Sequence, residues 1–530
     1  MKRWTPPIEA KKGEQYILRR LHRTRKLFAF LRLHRHELFD DAFQAELEGM
    51  YRPTGAGEEP LPPAFLCMVL LLQAYLRISD AEAVELSVMD ARWQLVLDCV
   101  GTQEPPFSQG AVQQFRERLI GADLDRRLLE RTVQLARKTK AFDWKKLPKE
   151  LRVAIDSRPL EGAGRVEDTF NLLGHAARKI VAAAATILGQ SKQEICRKAG
   201  IPLLLQGSIK AGLDIDWNDP EQRDEAIGVL VGQVTSLHEW IQRKQLQMQE
   251  PLQSYVAAVA QIETQDLEQT PNGQVQIRSG VAQDRRISIE DEQMRHGRKT
   301  KTKRFNGYKE HIAADLDTDL ILACAVTPAN RPEEEATPQL KTDLEHQGVT
   351  IGELFIDRAY INSPLVDQLR VQGRPVTCKP WKGGNAHAGL FSKADFKLNL
   401  RDKTITCPAG QVESIEPGQV VQFDPEVCGP CPLRSQCTMS ASGKGRTVQI
   451  GRDEALQKQL RKLQSSSKGR ARLRERVGVE HRLAHIAARK GPRARYRGVR
   501  KNLFDLRRTA AIQNLESIHR RINGASKVAA

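Results

Sequence analysis

The 530-residue chain has no apolar run near the roughly 20 residues that span a bilayer. Its longest apolar stretches, around Cys67–Leu76 and Ile180–Leu188, stop well short, so no membrane partner is expected. The opening MKRWTPPIEAKKGEQY puts no apolar core behind its charges and does not read as a secretory signal. The Gly-x-x-x-x-Gly-Lys-Ser/Thr phosphate loop is missing, which leaves ATP use without support. Internal repeats and strong low-complexity tracts are also lacking. Acid is scarce: 65 Asp/Glu face 83 Lys/Arg, a net of +18. What remains is a folded chain, 40% hydrophobic and 28% charged, long enough for about three to four domains. It reads as a soluble, basic, cytoplasmic protein whose partner is a polyanion.

The basic excess is concentrated. Residues 471–530 carry sixteen Lys/Arg against four Asp/Glu, a net of +12. Residues 1–36 have eleven basic and two acidic residues, and residues 294–309 have seven basic and none acidic. Patches of this kind neutralise phosphates without reading sequence. In residues 294–309 and in the tail, Arg298, Lys299, Arg304, Arg493, Arg495 and Arg497 are expected to contact DNA backbone.

Residues 1–150 read as helices. Pro62 and Pro63 open a buried helix, Ser79 with Glu82 has the spacing of a capping box, and Ser108 is placed to cap a helix through QQFRERL. At LRVAID (151–156) the pattern turns to a short apolar strand ending in an acid. Helical stretches return at 175–249, and the Gln-rich 264–276 reads as a linker or loop. GYKEHIAAD and LILACAVT, joined by Leu-Asp-Thr-Asp, predict a β-hairpin. Asp315, Asp317 and Asp319 lack the Gly and Glu of a calcium loop and read as its turn. GELFID (352–357) is another strand, followed by a helix capped by Ser363 and ended by Gly373. RPVTCKP is a further strand, short strands follow over 385–450, and the tail is helical.

Three acids stand out. Asp156 and Asp357 each end an apolar strand, where a carboxylate costs free energy unless it is paired or bound to metal. Glu480 falls between Val477 and Ala484 at helical spacing and is expected on the apolar face, with Arg476 one turn earlier as a partner. Inward carboxylates of this kind hold two divalent cations in phosphoryl-transfer sites, and their hard oxygens suit magnesium or manganese. His311 and His481 read as satisfied histidines near that core.

Cys407, Cys428, Cys431 and Cys437 form a second constellation. Four thiols with a Cys-x-x-Cys knuckle and turn residues suit a tetrahedral structural zinc. The other five cysteines are scattered in apolar surroundings and read as core residues.

Long, ordered stretches then carry a resemblance: DSRPLEGAGRVEDTFNLLGHA, MRHGRKTKTKRFNGYKEHIAAD, VTPANRPEEEA, FIDRAYINSPLV and VEHRLAHIAARKGPRARYRGVRKNLFDLRRTAAIQNLE. They resemble the large DDE-type transposases of bacterial insertion sequences. QGAVQQFRERLI is similar to the N-terminal domain of that family. The resemblance implies an α/β fold: an RNase H-like mixed-sheet core with an all-α N-terminal domain, a helical insertion and a small β-rich, Cys-rich insertion. The implied divisions are 1–150 for DNA-end binding, 151–175 for the first core strand and 176–293 for the helical insertion. The core resumes over 294–384, is interrupted by the Cys insertion over 385–465, and closes with basic helices over 466–530. Asp156, Asp357 and Glu480 become the catalytic and metal-binding triad, with two divalent ions. Relatives surround the last acid with Tyr, Arg and Lys. Arg476 matches in this chain, whereas Leu473 and Ala487 replace the Tyr and Lys, and Lys490 is taken as the substitute. The implied activity is cleavage and transfer of DNA strands at terminal inverted repeats, by a homodimer or larger assembly, with target DNA as second substrate. The alternatives are a catalytically inactive DNA-binding derivative and an RNase H-like nuclease acting on RNA.

Overall fold

The computed structural model describes residues 2–21, 26–52, 59–139, 141–300, 302–381, 389–440 and 443–528, with side chains to 523. The expected division between 384 and 385 lies outside them.

The chain opens with helices α1 (Lys12–Arg20), α2 (Leu27–Leu38), α3 (Asp41–Glu48), α4 (Pro63–Leu76), α5 (Asp80–Met89), α6 (Ala91–Leu97), α7 (Gln109–Gly121) and α8 (Asp125–Lys138). The caps follow the sequence. Ser79 and Glu82 form the reciprocal capping box, and the Ser108 hydroxyl accepts from the Ala111 amide. Helix α4 starts at Pro63 and is buried on every side from Ala64 to Ala74, as a helix without a polar face must be.

Strand β1 (Leu151–Glu161) is longer than its apolar run. It lies inside the sheet, with partners on both edges, so Val153, Ala154 and Ile155 are all buried. Next come helices α9 (Thr169–Leu188), α10 (Lys192–Ala199), α11 (Ile209–Leu213), α12 (Pro220–Arg243) and α13 (Leu252–Asp266), which enclose their own core around Leu173, Ile180, Ile227 and Trp240. The Gln-rich segment is not a linker. It ends α13 and forms a hairpin of β2 (Leu267–Gln269) and β3 (Val275–Ile277). Its polar residues are held by distant partners: Asp266 by Thr169 and Arg285, and Gln265 by Arg286.

The sheet is completed by β4 (Arg295–Arg298), β5 (Arg304–Asp315), β6 (Ile321–Pro328), β7 (Ile351–Phe355) and β8 (Val376–Thr377). Strands β4 and β6 pair with β5, which runs antiparallel to β1, whereas β7 and β8 follow parallel to β1 on its other edge. The result is a mixed sheet. Gly307 carries φ +151° where β5 crosses the end of β1, and a Cβ there would stand 2.3 Å from the Leu160 carbonyl. Helices α14 (Thr337–His346) and α15 (Pro364–Val371) connect the parallel strands.

A small module follows. Strands β9 (Lys397–Asn399), β10 (Thr404–Thr406) and β11 (Val412–Ser414) form one sheet. Strands β12 (Val420–Gln422) and β13 (Thr447–Gln449) form another, with short helices α16 (Pro425–Cys428) and α17 (Arg434–Cys437) between them. Its core is limited to Phe396, Ile405, Ile415, Val421, Phe423, Val448 and Ile450, with flanking residues packed against it. Helices α18 (Glu454–Ser465), α19 (Ser467–Glu475), α20 (Val477–Lys490) and α21 (Val499–Val528) end the chain. Helix α20 packs on β1, and α21 runs between α8, α4 and β6. Within the basic tail, α21 is a buried spine from Asn502 to Leu515. Arg507 and Arg508 are within it, and the apolar core is continuous from the first helices into the sheet. No single helix among the described residues is long and apolar enough to cross a membrane.

Candidate active site

Asp156 sits in the middle of β1, not at its end. In the parallel pairing, Ala154 faces Phe355. Asp156 and Asp357 each lie two residues further along, past the last paired position, and both line one cleft. Asp357 lies just beyond β7 and precedes the 3₁₀ turn Arg358–Tyr360. The third acid arrives from above the sheet on α20.

Glu480 is not on the apolar face of that helix. The buried stripe is Val479, Leu483, Ile486 and Lys490, one position away, and Glu480 is 45% exposed. It faces a cleft of about 470 Å³ that Asp156, Asp357, Ala484 and Ala487 also line. Arg476 lies between two of the acids, 3.0 Å from the Asp156 carboxylate and paired with Glu480.

A fourth carboxylate lines the same cleft. Glu333 follows β6 in a 3₁₀ turn and faces Asp357 and Ser157. The stretch VTPANRPEEEA contains it, but three successive glutamates gave no reason to single one out. Among the described residues, Arg476 is the cation ion-paired to this group, and neither Glu333 nor Asp357 has an ion pair. The electrostatics register the crowding. Burial pushes the Asp156 carboxyl up to about 6, with Glu480 and Glu333 adding and Arg476 opposing. Burial likewise raises Glu333, with Lys309 and Ser157 opposing and Asp357 adding. Under the acids, the Tyr360 hydroxyl is 2.7 Å from His311 Nδ1, and His311 Nε2 is 3.0 Å from the Thr327 hydroxyl. Burial lowers His311 to about 3, so it is a neutral structural imidazole.

The expected phosphate contacts divide. Arg298 and Lys299 are exposed and line the cleft, and Arg304 is exposed at the start of β5. Arg493, Arg495 and Arg497 are exposed too. The first two donate to the Ala163 and Ile78 carbonyls, and Arg497 pairs with Glu290 at 2.6 Å. Lys490 is a correction. It is 5% exposed, with its ammonium 2.5 Å from Glu310 and 2.8 Å from Asp505. A lysine placed three residues beyond Ala487 turns under the helix instead of over the cleft. Arg158 and Arg508 complete that buried network, on Glu310 and Asp505.

Among the described residues, no group of three or more His, Cys, Asp or Glu is gathered tightly enough to hold a metal ion. The acids still fit a hard divalent cation in kind: oxygen donors, crowded negative charge and one guanidinium for four carboxylates. The thiols of Cys407, Cys428, Cys431 and Cys437 are half-buried around one cavity of about 350 Å³ in the small module. Burial raises the Cys437 thiol, and the other three add to the effect.

Comparison with known families gives two matches. A family model described as "Transposase DDE domain" matches residues 406–519, a span that contains the four clustered cysteines and Glu480. One described as "Transposase domain (DUF772)" matches residues 18–118, in the N-terminal helices. No curated protein and no solved structure matches the chain.

Proposed function

We infer that this chain is a DDE-type transposase of an insertion sequence, a reading supported by the transposase-domain matches over residues 18–118 and 406–519. The finer reading is metal-dependent cleavage of DNA strands at terminal inverted repeats, followed by joining of the ends to target DNA. The observation that carries it is the meeting of Asp156, Asp357 and Glu480 in one cleft, from residues more than 300 positions apart. An RNase H-like core is supported by the order of the strands. The first acid is on the first core strand, the hairpin supplies the second and third, and the second acid follows the fourth.

In this reading Asp156, Asp357 and Glu480, with Glu333 beside them, hold two magnesium or manganese ions. Such ions activate a water or 3′-hydroxyl and neutralise the leaving oxygen. The protein groups do the rest. To hold such ions the carboxylates would have to be ionised, which burial opposes at Asp156. Arg476, displaced from Asp156, becomes available to a DNA phosphate, and Arg298 and Lys299 hold the strand at the rim. The N-terminal helices read the element ends, and two copies of the chain bring two ends together on DNA. In the small module, Cys407, Cys428, Cys431 and Cys437 hold a structural zinc, offsetting a core too small to be stable alone.

The test uses the DNA flanking the coding region, searched for inverted repeats and supplied as a labelled duplex with magnesium or manganese. Wild type is expected to nick at the repeat ends. Asp156→Asn and Asp357→Asn are expected to lose about a thousandfold in rate, roughly 4 kcal/mol in barrier. Cleavage that survives either substitution removes the catalytic assignment. A wild type that binds but never cleaves favours the DNA-binding derivative. Zinc content of the purified chain, with and without Cys428→Ser, tests the thiol site.

A further inference from the structure

A second cleft lies on the other side of α20. It opens between the start of α2, the end of α4, the C-terminal half of α20 and α21, with a volume of about 670 Å³. Its charged lining is Lys26, Arg77, Arg489 and Arg520, with His485 and His519. Glu516 is the one acid in the lining, and Arg489 holds it at 2.6 Å. Lys26, Arg77 and Arg520 are exposed, and no carboxylate is paired with them among the described residues. Elsewhere on this surface cations commonly have partners, as Arg497 has Glu290 and Arg374 has Glu150. Three without one, converging on a concavity, make a site of positive potential. The two histidines report the same field. Burial and the neighbouring Arg482, Arg520 and Lys26 hold both imidazoles below their usual value.

The cleft is also built. Arg77 takes a left-handed conformation, φ 61°, to end α4, and its guanidinium donates to the Lys490 carbonyl at the end of α20. That contact fixes the N-terminal helices against the helix that carries Glu480. Helix α20 separates the two clefts: Glu480, Ala484 and Ala487 face the acids, and His485, Ala488 and Arg489 face the cations. Ala484 and Ala488 are exposed, so a backbone crossing the helix meets no bulky side chain.

We propose that this cleft holds the phosphate backbone of duplex DNA across α20 from the strand at the acids, using Lys26, Arg77 and Arg520. It takes over the grip that Ala487 and the buried Lys490 do not provide. The proposal rests on the transposase reading for the identity of the polyanion, but its phosphate contacts are independent of sequence.

The experiment titrates the full chain with a fluorescein-labelled, mixed-sequence duplex of about 30 bp at several salt concentrations. Each lost phosphate contact lowers the slope of log affinity against log salt by about 0.9, or about eightfold in affinity at 0.1 M salt. The double variant Lys26→Ala with Arg520→Ala is expected to lose one to two such contacts. Lys26→Arg with Arg520→Lys should retain them, as should Lys192→Ala with Arg197→Ala on α10. In parallel, acetylation of wild-type lysines is read with and without duplex, and DNA is expected to protect Lys26. Wild-type slope and affinity in the alanine double variant, or equal labelling of Lys26, overturns the cleft. A chain that binds with this slope yet never cleaves overturns the proposed chemistry and leaves the cleft standing.

Discussion

Strand β1 and helix α20 each carry one acid of the cleft and one cation of a buried ion network, and the two groups treat charge in opposite ways. On β1 the residues are Asp156 and Arg158, and on α20 they are Glu480 and Lys490. In the network, Arg158, Glu310, Lys490, Asp505 and Arg508 alternate in sign, each within 3 Å of its neighbour. Nothing outside is needed. In the cleft, four carboxylates share one paired guanidinium, and the imbalance is left for a cation to relieve. The same residue types thus build a lock where charge closes on itself and a site where it does not.

Breaking the lock should have the largest effect. Lys490→Met takes the shared cation from Glu310 and Asp505, leaving each with one arginine, Arg158 and Arg508, and removing a partner from a buried ionic network costs up to about 3–5 kcal/mol. A marked fall in melting midpoint is expected. An unchanged midpoint with weaker DNA binding would restore Lys490 to the phosphate contacts.

Breaking the cleft should have the opposite sign. Asp156 titrates near 6 when folded, above its ordinary value, so its contribution favours folding at low pH and is lost as pH rises through about 6. Asp156→Asn has no such loss. In EDTA at pH 7–8 it is expected to melt above wild type, by on the order of 2 kcal/mol, and to match wild type below about pH 4. A destabilised Asn variant at neutral pH would show that Arg476 outweighs burial.

Glu333 sharpens the boundary between the two regions. If it belongs with the acids, Glu333→Gln weakens manganese binding about tenfold by calorimetry, or 1.4 kcal/mol, without lowering the melting midpoint. Unchanged metal affinity would assign it to Lys309 and Ser157 alone. The smallest effect belongs to the exposed pair Arg497–Glu290. Arg497→Ala is expected to change stability by less than about 1 kcal/mol, and a larger loss on thermal melting would mean that this pair is not a simple surface contact.

Much of the sheet was readable along the chain. Apolar runs gave the strand at 151, the hairpin and the strand at 352, because consecutive buried residues need no distant information. Capping at Ser79, Ser108 and Ser363 was readable for the same reason: each hydroxyl caps an amide three residues away. Lys490 was misread because a lysine in a basic stretch looks solvated, and its partners Glu310 and Asp505 come from a strand 180 residues earlier and from the next helix. Glu333 was passed over because its distinction from Glu334 and Glu335 lies in the direction a short turn gives it. Nor does charge along the tail distinguish its free cations from Arg507, which pairs with Asp123, Asp125 and Asp343 inside the protein.

The sequence by itself determined which residues could carry the chemistry: two acids closing apolar runs, one on a late helix, and a basic surplus around them. Period and apolarity are local properties, and they are written in the order of the residues. Only the tertiary structure decided which charges remain available. A charge is neutralised by whatever lies within a few ångströms, and here those neighbours come from up to several hundred residues away. That is why Lys490 closes a lock, Lys26 and Arg520 stand open, and Asp156, Asp357 and Glu480 face one another across a single cleft.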